Sequence, residues 1–275
     1  MKKEKHTSEN ISPGTGLRFR GVGAASSTGY HVGNKELQSK YDEMHSKGPT
    51  SWFSDGREER ETILKMGEPW EGVVFEIGCG EGDLGAMIRD KGATYWGIDY
   101  SEEAIRKAKE KYPYCHYLKL DYKKAVMLPR YLVMQGVLEH LDDPFCELQW
   151  MIENFKPKTV ITSSPCFLNP RGIVWMTLDM LGAVMSKTDL HFLDPRAFHG
   201  FCIAHNYQLD TKYCDFSWGN GDQMVEDLKH RIPLALKDGN LPIPTIEKFH
   251  EFLHFLDGPY WQDYGATAVY RIDID

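Results

Sequence analysis

The 275-residue sequence predicts an α/β fold, a parallel sheet covered by helices on both faces. Two observations predict it. From Val73 to Thr162, short continuous apolar runs alternate with helix-period segments, and such runs are strands buried on both sides. The first of them, "VVFEI", climbs into "GCGEGD", a glycine-rich turn of the kind that leads a strand into a helix beside a nucleotide.

The elements follow in order. Residues 1–33 hold many Gly, Ser and Thr with little periodicity and read as a flexible N-terminal arm. Lys35 to Met66 is mostly helical, broken by "SKGPTS" at Ser46–Ser51. Strand one is Val73–Ile77, and a helix follows from Asp83 to Asp90. Strand two is Tyr95–Ile98; Ser101 then caps a helix with Glu102 and Glu103 in its first turn, ended by Pro113. Strand three is His116–Leu120 and strand four Tyr131–Met134. Asp143 caps the next helix with Pro144 at its first position, and Phe145, Leu148, Ile152 and Phe155 share one face. Strand five is Thr159–Thr162. A long apolar helix over Arg171–Met185 is inserted next, and "DPRAFHGFCIAHN" restores a helix that starts at Asp194 and Pro195. Tyr207–Phe216 and Ala266–Ile274 alternate like strands. Residues 34–275 thus make one domain with insertions at about 165–190 and 217–264.

Composition narrows the function classes. A net charge of -8 argues against a general nucleic-acid binder, which carries a basic stripe, and against residence on an anionic membrane. The longest apolar stretch, Gly172–Met185, is too short to span a bilayer and contains Asp179. Six cysteines at 79, 115, 146, 166, 202 and 214 include no C-x-x-C pair and read as free thiols in a reducing compartment. The opening "MKKEKHTSENISPGTG" has no apolar h-region, so the expected location is cytoplasmic.

A dinucleotide fingerprint spaces its glycines G-x-G-x-x-G and seats pyrophosphate on the helix N-terminus. Here Gly78, Gly80 and Gly82 alternate, and Asp83 stands where the third dinucleotide glycine belongs. Glu76, at the end of strand one, would repel pyrophosphate and suit a cation. Asp99 closes strand two, 21 residues after Gly78, where a carboxylate can accept from both ribose hydroxyls. Asp121 closes strand three, placed to accept from an adenine amino group. Three acids on the carboxyl edge of three successive strands suit an adenosine with a cationic, phosphate-free tail. The plain alternative is that Gly78–Gly82 is only a tight turn and that Asp121 only starts one.

These segments resemble the class I (Rossmann-like) S-adenosylmethionine-dependent methyltransferases. "FEIGCGEGD" is similar to their first motif, "YWGIDYSEEAIRKAKEKY" to their second, "LKLDY" to the adenine-contacting segment and "YLVMQGVLEHLDDP" to the strand-four motif. The likeness covers roughly Lys35–Ser163 and the closing pair of strands. It implies a seven-stranded, mostly parallel sheet in the order 3-2-1-4-5-7-6 with strand seven antiparallel. It also implies S-adenosyl-L-methionine as cofactor, held by Glu76, Gly78, Cys79, Gly80, Gly82, Asp99, Tyr100, Asp121, Tyr122 and Gln135.

Methyl transfer is an in-line displacement in which the protein supplies alignment and a dry site; a hydroxyl acceptor also needs a base. His140, just past strand four, and His191, in "DLHFLDP", are the candidate catalytic residues, each with the alternative of a purely structural place. Trp52, Phe53, Trp175, Trp218, Tyr260 and Trp261 are candidates for lining an acceptor pocket or for insertion core, and Arg57, Arg60 and Arg171 for meeting an acidic substrate or solvent. Cys166 in "SSPC" reads as a buried thiol rather than a nucleophile, and "QGVL" stands where amino-methylating DNA enzymes carry an NPPY-type tetrapeptide. "HEFLH" at His250–His254 matches a zinc-protease signature, but Asp257 and Tyr260 occupy the extended pattern's Gly and His positions and no Glu follows Glu251. An amphipathic helix explains it as well.

The expected function is therefore O-methylation, favoured over N-methylation, of a small-molecule acceptor, sugar or lipid-linked ones included, by a monomer or homodimer. No nucleic-acid or membrane partner and no metal is expected. The rivals are a nicotinamide-dependent oxidoreductase, a zinc hydrolase and a non-catalytic cofactor-binding module.

Overall fold

The computed structural model describes residues 34–47, 56–186, 188, 189, 191, 193, 195–244, 248 and 264–274. The expected arm (1–33), Trp52, Phe53, Phe192, Asp194, the His250–His254 segment, Asp257, Tyr260 and Trp261 lie outside the described residues.

Strands β1 (Val73–Ile77), β2 (Thr94–Asp99), β3 (His116–Lys119), β4 (Tyr131–Gln135), β5 (Thr159–Pro165), β6 (Gln208–Cys214) and β7 (Thr267–Asp273) form one sheet in the order β3-β2-β1-β4-β5-β7-β6. β7 runs antiparallel to both of its neighbours, and the remaining pairs are parallel. The order expected from the resemblance is the one observed.

Alternation along the strands splits the core into two layers. Val74, Tyr95, Val133 and Ile161 face one side, covered by α2 (Arg57–Gly67), α3 (Asp83–Asp90) and α4 (Glu102–Lys111). Phe75, Ile98, Leu132, Met134 and Val160 face the other, covered by α5 (Pro144–Phe155) and α7 (Pro195–His205). A third cluster joins α6 (Pro170–Met180) to α9 (Asp222–Asp238) through Phe167, Val174, Trp175, Met224, Leu228 and Ile232. Two further helices complete the described elements: α1 (Asn34–Lys47), which packs near α4, and the short α8 (Phe216–Asn220) before α9.

Helix ends follow local chemistry. The Ser101 hydroxyl accepts from the Ala104 N–H, and the Asp143 carboxylate accepts from the Cys146 N–H ahead of Pro144. The inserted helix α6 stops at Met180, five residues before the expected end. Gly182 takes φ +96 there, and the Ala183 N–H returns to the Leu178 carbonyl, closing the helix. β5 runs three residues beyond the expected Thr162 because β7 supplies partners out to Pro165↔Thr267. No helix among the described residues is long and apolar enough to cross a membrane.

Candidate functional site

The carboxyl edge of β1, β2 and β4 is drawn together by the turn after β1. The Gly78 and Cys79 N–H groups both donate to the Ile98 carbonyl of β2, at 2.8 and 3.0 Å. Gly78 has φ +74, and a Cβ there would lie 2.6 Å from Val137; Gly82 has φ +86, and a Cβ would lie 2.5 Å from the Tyr117 hydroxyl. Both positions are closed to a side chain by conformation and by space.

Asp99 fixes the turn from the second strand. Its Oδ2 accepts from the Gly80 N–H at 3.0 Å and its Oδ1 from the Ser101 N–H at 2.8 Å, which leaves a lone pair on each oxygen. Burial pushes its carboxyl above the usual range. Glu76 is 1% exposed and accepts from the Tyr95 hydroxyl at 2.5 Å. Burial pushes Glu76 up to about 8. Asp121 accepts from the Lys123 N–H at 3.0 Å and opens a 3-10 turn over Tyr122–Lys124. The Tyr122 hydroxyl donates to Glu147 at 2.8 Å, and Gln135 Nε2 donates to Glu59 Oε2 at 2.6 Å.

All ten residues expected around the cofactor line one cavity of about 650 Å3. Helix α1 roofs it. Gln38 donates to the Tyr100 carbonyl at 3.1 Å, the Ser101 hydroxyl donates to Asp42, and His45 lies 3.2 Å from Glu81. The Tyr41 ring meets Tyr100 edge-on with centroids 6.0 Å apart.

A second cavity of about 730 Å3 adjoins the first, and Tyr41, Glu59, Gly136 and His140 line both. His140 sits in a 3-10 turn, Leu138–His140, directly after β4. Its Nε2 is 2.8 Å from the Tyr41 hydroxyl; its Nδ1 is 3.0 Å from the Thr188 carbonyl and 3.4 Å from Asp189. A carbonyl can only accept, so Nδ1 carries the proton and Nε2 takes the Tyr41 O–H. Burial and the nearby Asp189 and Glu139 carboxylates push the Tyr41 phenol well up, which keeps it the donor. Glu139 is 2% exposed, and burial pushes its carboxyl well above the usual range.

The structure does not bring His191 to this junction. His191 Nε2 is 2.9 Å from the Asp142 carbonyl, its backbone N–H donates to the Glu139 carbonyl, and it lines neither cavity. Cys166 is buried, and its N–H holds the Ala266 carbonyl where β5 meets β7, also outside both cavities. Trp175, Trp218 and Arg171 line the second cavity and Arg60 the first, while Arg57 pairs with Glu61 in solvent. Tyr41, Glu59 and Glu139 were missed by sequence reasoning. For Glu139 the signal existed, a carboxylate directly after the apolar Val137–Leu138 pair that follows strand four; for Tyr41, on a mostly polar helix, none did.

Comparison with known proteins adds a family. A family model described as a methyltransferase domain matches residues 55–211. A ubiquinone biosynthesis O-methyltransferase of Nitrosomonas europaea is 30% identical over 144 residues, 48% of this chain and 56% of the relative, so the chain spans little more than half of that relative's length. Among solved structures, the DhpI–SAH complex aligns with a TM-score of 0.54 at 11% identity, over 86% of this chain and 95% of the other. The cyclopropane synthase MmaA2 of Mycobacterium tuberculosis gives 0.52 at 13%, over 78% and 81%. An S-adenosylmethionine-dependent methyltransferase of Mesorhizobium loti gives 0.51 at 13%, over 80% and 99%. At these identities the structural likeness concerns the fold.

Proposed function

Since the chain belongs to the family of methyltransferase domains, we propose that it moves a methyl group from S-adenosyl-L-methionine to a small-molecule acceptor, at oxygen in preference to nitrogen. The observation that carries this reading is the junction of two cavities at Tyr41, Glu59, Gly136 and His140. One cavity has the chemistry of the cofactor. Glu76 is a buried carboxyl with Tyr95 as its hydrogen-bond donor, a partner for positive charge and a poor neighbour for phosphate. In this reading Asp99 accepts from the ribose and Asp121 from the adenine, Tyr100 and Tyr122 flank the base, and Gln135 and the Gly78–Gly82 backbone face the amino-acid end. S-adenosylmethionine, when bound, supplies a methyl group already activated on sulfonium.

The protein's own residues then align the acceptor, exclude water and hold its proton. The second cavity has the size of a small-molecule site and is walled by Phe167, Trp175, Met185 and Trp218. His140 presents Nε2 as an acceptor at the mouth between the cavities, a position the Tyr41 hydroxyl now occupies. An acceptor hydroxyl that takes Tyr41's place would have its proton held there. An amine would need no such group, which is why oxygen is favoured.

Labelled S-adenosylmethionine with size-fractionated cell extract tests the reading. Label should enter the small-molecule fraction, and label only in RNA or protein would reverse the acceptor class. His140→Gln should lower kcat by roughly 10²–10⁴-fold while S-adenosylhomocysteine still binds. An unchanged kcat would return His140 to a structural role.

A further inference from the structure

The turn after β4 sets a second titratable group beside His140. Glu139 is the middle residue of the Leu138–His140 turn, is 2% exposed and lines the second cavity. Its Oε1 lies 3.5 Å from where a Cβ on Gly136 would stand, and Gly136 lines both cavities. Its Oε2 is buried and makes no hydrogen bond to the described residues, and no ion pair among them holds the carboxyl. The charges that bear on it are like ones, Asp189 from the loop before α7 and Glu59 from α2. An ionised carboxylate here would be buried, unpaired and beside other acids, which is costly. Burial first, and then Asp189, hold the carboxyl well above the usual range. The group therefore keeps its proton, and a protonated carboxyl can both donate and accept.

Two more residues on the lining of the same cavity carry a buried polar atom with no hydrogen-bond partner among the described residues. They are Ser164, 1% exposed at the end of β5, through Oγ, and Trp175, 5% exposed on α6, through Nε1. β5 also packs against the Leu138–His140 turn. All three groups are uncharged donors: a carboxyl O–H, a hydroxyl O–H and an indole N–H. Native interiors rarely leave such groups unpaired, so three on one lining mark a place for a guest that brings oxygen lone pairs. The charged groups of the lining are already engaged. Arg171 donates Nε to Asp227 Oδ2 at 3.1 Å, and Arg231 donates Nη2 to Asp227 Oδ1 at 3.0 Å. Asp215 accepts from the Thr267 hydroxyl at 2.7 Å, and Asp189 stands beside His140.

Resting on the small-molecule methyltransferase reading, we propose that Glu139 touches the acceptor as an uncharged donor, with Ser164 and Trp175 beside it, and selects an uncharged acceptor that carries an oxygen besides its reacting hydroxyl. The reacting hydroxyl donates to His140 Nε2, and the second oxygen accepts from Glu139. An anionic acceptor would be set among Asp189, Asp215 and Asp238, which line the same chamber. A purely apolar acceptor would leave the buried donors unpaired.

Methyl label carried from S-adenosylmethionine into the small-molecule fraction of cell extract tests the proposal, because methylation of a hydroxyl leaves the charge of the rest of the molecule unchanged. The labelled product, resolved from unreacted cofactor, should pass both an anion-exchange and a cation-exchange column at neutral pH; retention on either would overturn the proposal. In a dilution series of that fraction, Glu139→Ala should raise the half-saturating amount roughly tenfold while S-adenosylhomocysteine binds as before, the loss of one hydrogen bond to the acceptor. Glu139→Gln, which keeps an N–H donor and no charge, should recover most of that loss. Should Glu139→Ala not fold, judged by loss of S-adenosylhomocysteine binding, Ser164→Ala is read with the same direction. An unchanged half-saturation in the folded variant, or a Glu139→Gln protein as impaired as Glu139→Ala, would overturn the proposal. The proton is read directly: the infrared difference between the unmodified protein and Glu139→Gln at neutral pH should contain the carbonyl stretch of a protonated carboxyl, and its absence would also overturn the proposal. Label that enters no small molecule would defeat the methyltransferase reading instead, whereas the infrared band is scored without any acceptor.

Discussion

Asp99 uses one lone pair of each oxygen to hold the Gly80 and Ser101 N–H groups and has the others left for a ligand. Asp99→Ala should therefore weaken S-adenosylhomocysteine binding by about 1–3 kcal/mol, measured by calorimetry, since it removes charge-assisted hydrogen bonds. Unchanged affinity would move the ribose elsewhere. Glu76 makes a pH prediction. Burial raises its carboxyl from the usual 4.5 to about 8, so between those values the folded protein holds a proton that the unfolded chain has lost. The contribution to stability is complete below pH 4.5 and is lost as pH rises toward 8, by at most about 1.4 kcal/mol per pH unit. Chemical denaturation across pH 5–8 should show this slope (roughly the window of the shift), and Glu76→Gln should flatten it. A cation bound beside Glu76 favours the carboxylate, so S-adenosylmethionine should release protons near neutral pH and bind more tightly as pH rises. Calorimetry in two buffers of different ionisation enthalpy measures that release, and its persistence in Glu76→Gln would exclude Glu76 as the source. The acids were legible in the sequence because each closes an apolar run. Tyr41 was not, because its role exists only once α1 lies across the edge of the sheet.

At the scale of the element, β1, its turn and α3 are written locally: an apolar run, alternating glycines, then Asp83 in the first helical turn. Spatial fit adds a constraint that periodicity does not show. The Tyr95 side chain passes between α3 and β2 to reach Glu76, and a Cβ on Gly85 would lie 2.2 Å from its ring, one on Gly97 2.4 Å from its hydroxyl. Gly85→Ala should thus destabilise by roughly 1–3 kcal/mol in urea denaturation and also weaken S-adenosylmethionine binding, because Tyr95 must leave Glu76 to make room. Loss of stability with unchanged affinity would separate the Tyr95–Glu76 contact from the ligand. The early end of α6 shows where element reading weakens. Apolar composition continues to Met185, but residues past Gly182 bond across to α9, with the Val184 N–H on the Ala235 carbonyl. A helix was not the best use of those apolar side chains once a second helix lay beside them. α9 itself hid behind Pro233, which sits inside the helix and reads as a break.

For the whole molecule, the rim proposed to hold the cofactor was readable because its residues recur at the ends of β1, β2, β3 and β4. The chamber proposed for the acceptor was not, because it is assembled from distant segments: α1, α2, the turn after β4, the end of β5, α6, the loop before α7, α8, α9 and the start of β7. Arg171 and Asp227 meet across 56 residues, and no local pattern announces such a pair. The chamber also has its own cluster, Phe167, Val174 and Trp175 against α9, beside the two layers of the sheet. A ligand that binds only the folded state stabilises it by RT ln(1 + [L]/Kd), about 2.7 kcal/mol at a hundredfold excess over Kd. For a domain of this size that is a rise in Tm of roughly 5–10 °C. S-adenosylhomocysteine should produce the rise, and NADH at equal concentration should not, because Asp83 stands where the dinucleotide pattern needs its third glycine and the Glu76 carboxyl is a poor neighbour for pyrophosphate. Far-UV circular dichroism follows mainly the sheet and its helices, whereas tryptophan fluorescence includes Trp175 and Trp218 of the chamber. Coincident shifts in both would mean that the chamber folds and unfolds with the sheet, so that binding at the rim also orders the acceptor side. A fluorescence transition that splits, one part shifted with the sheet (Trp70, Trp96, Trp150) and one part unshifted, would mean that the α6–α9 unit opens on its own. No rise with S-adenosylhomocysteine, or an equal one with NADH, would defeat the cofactor assignment.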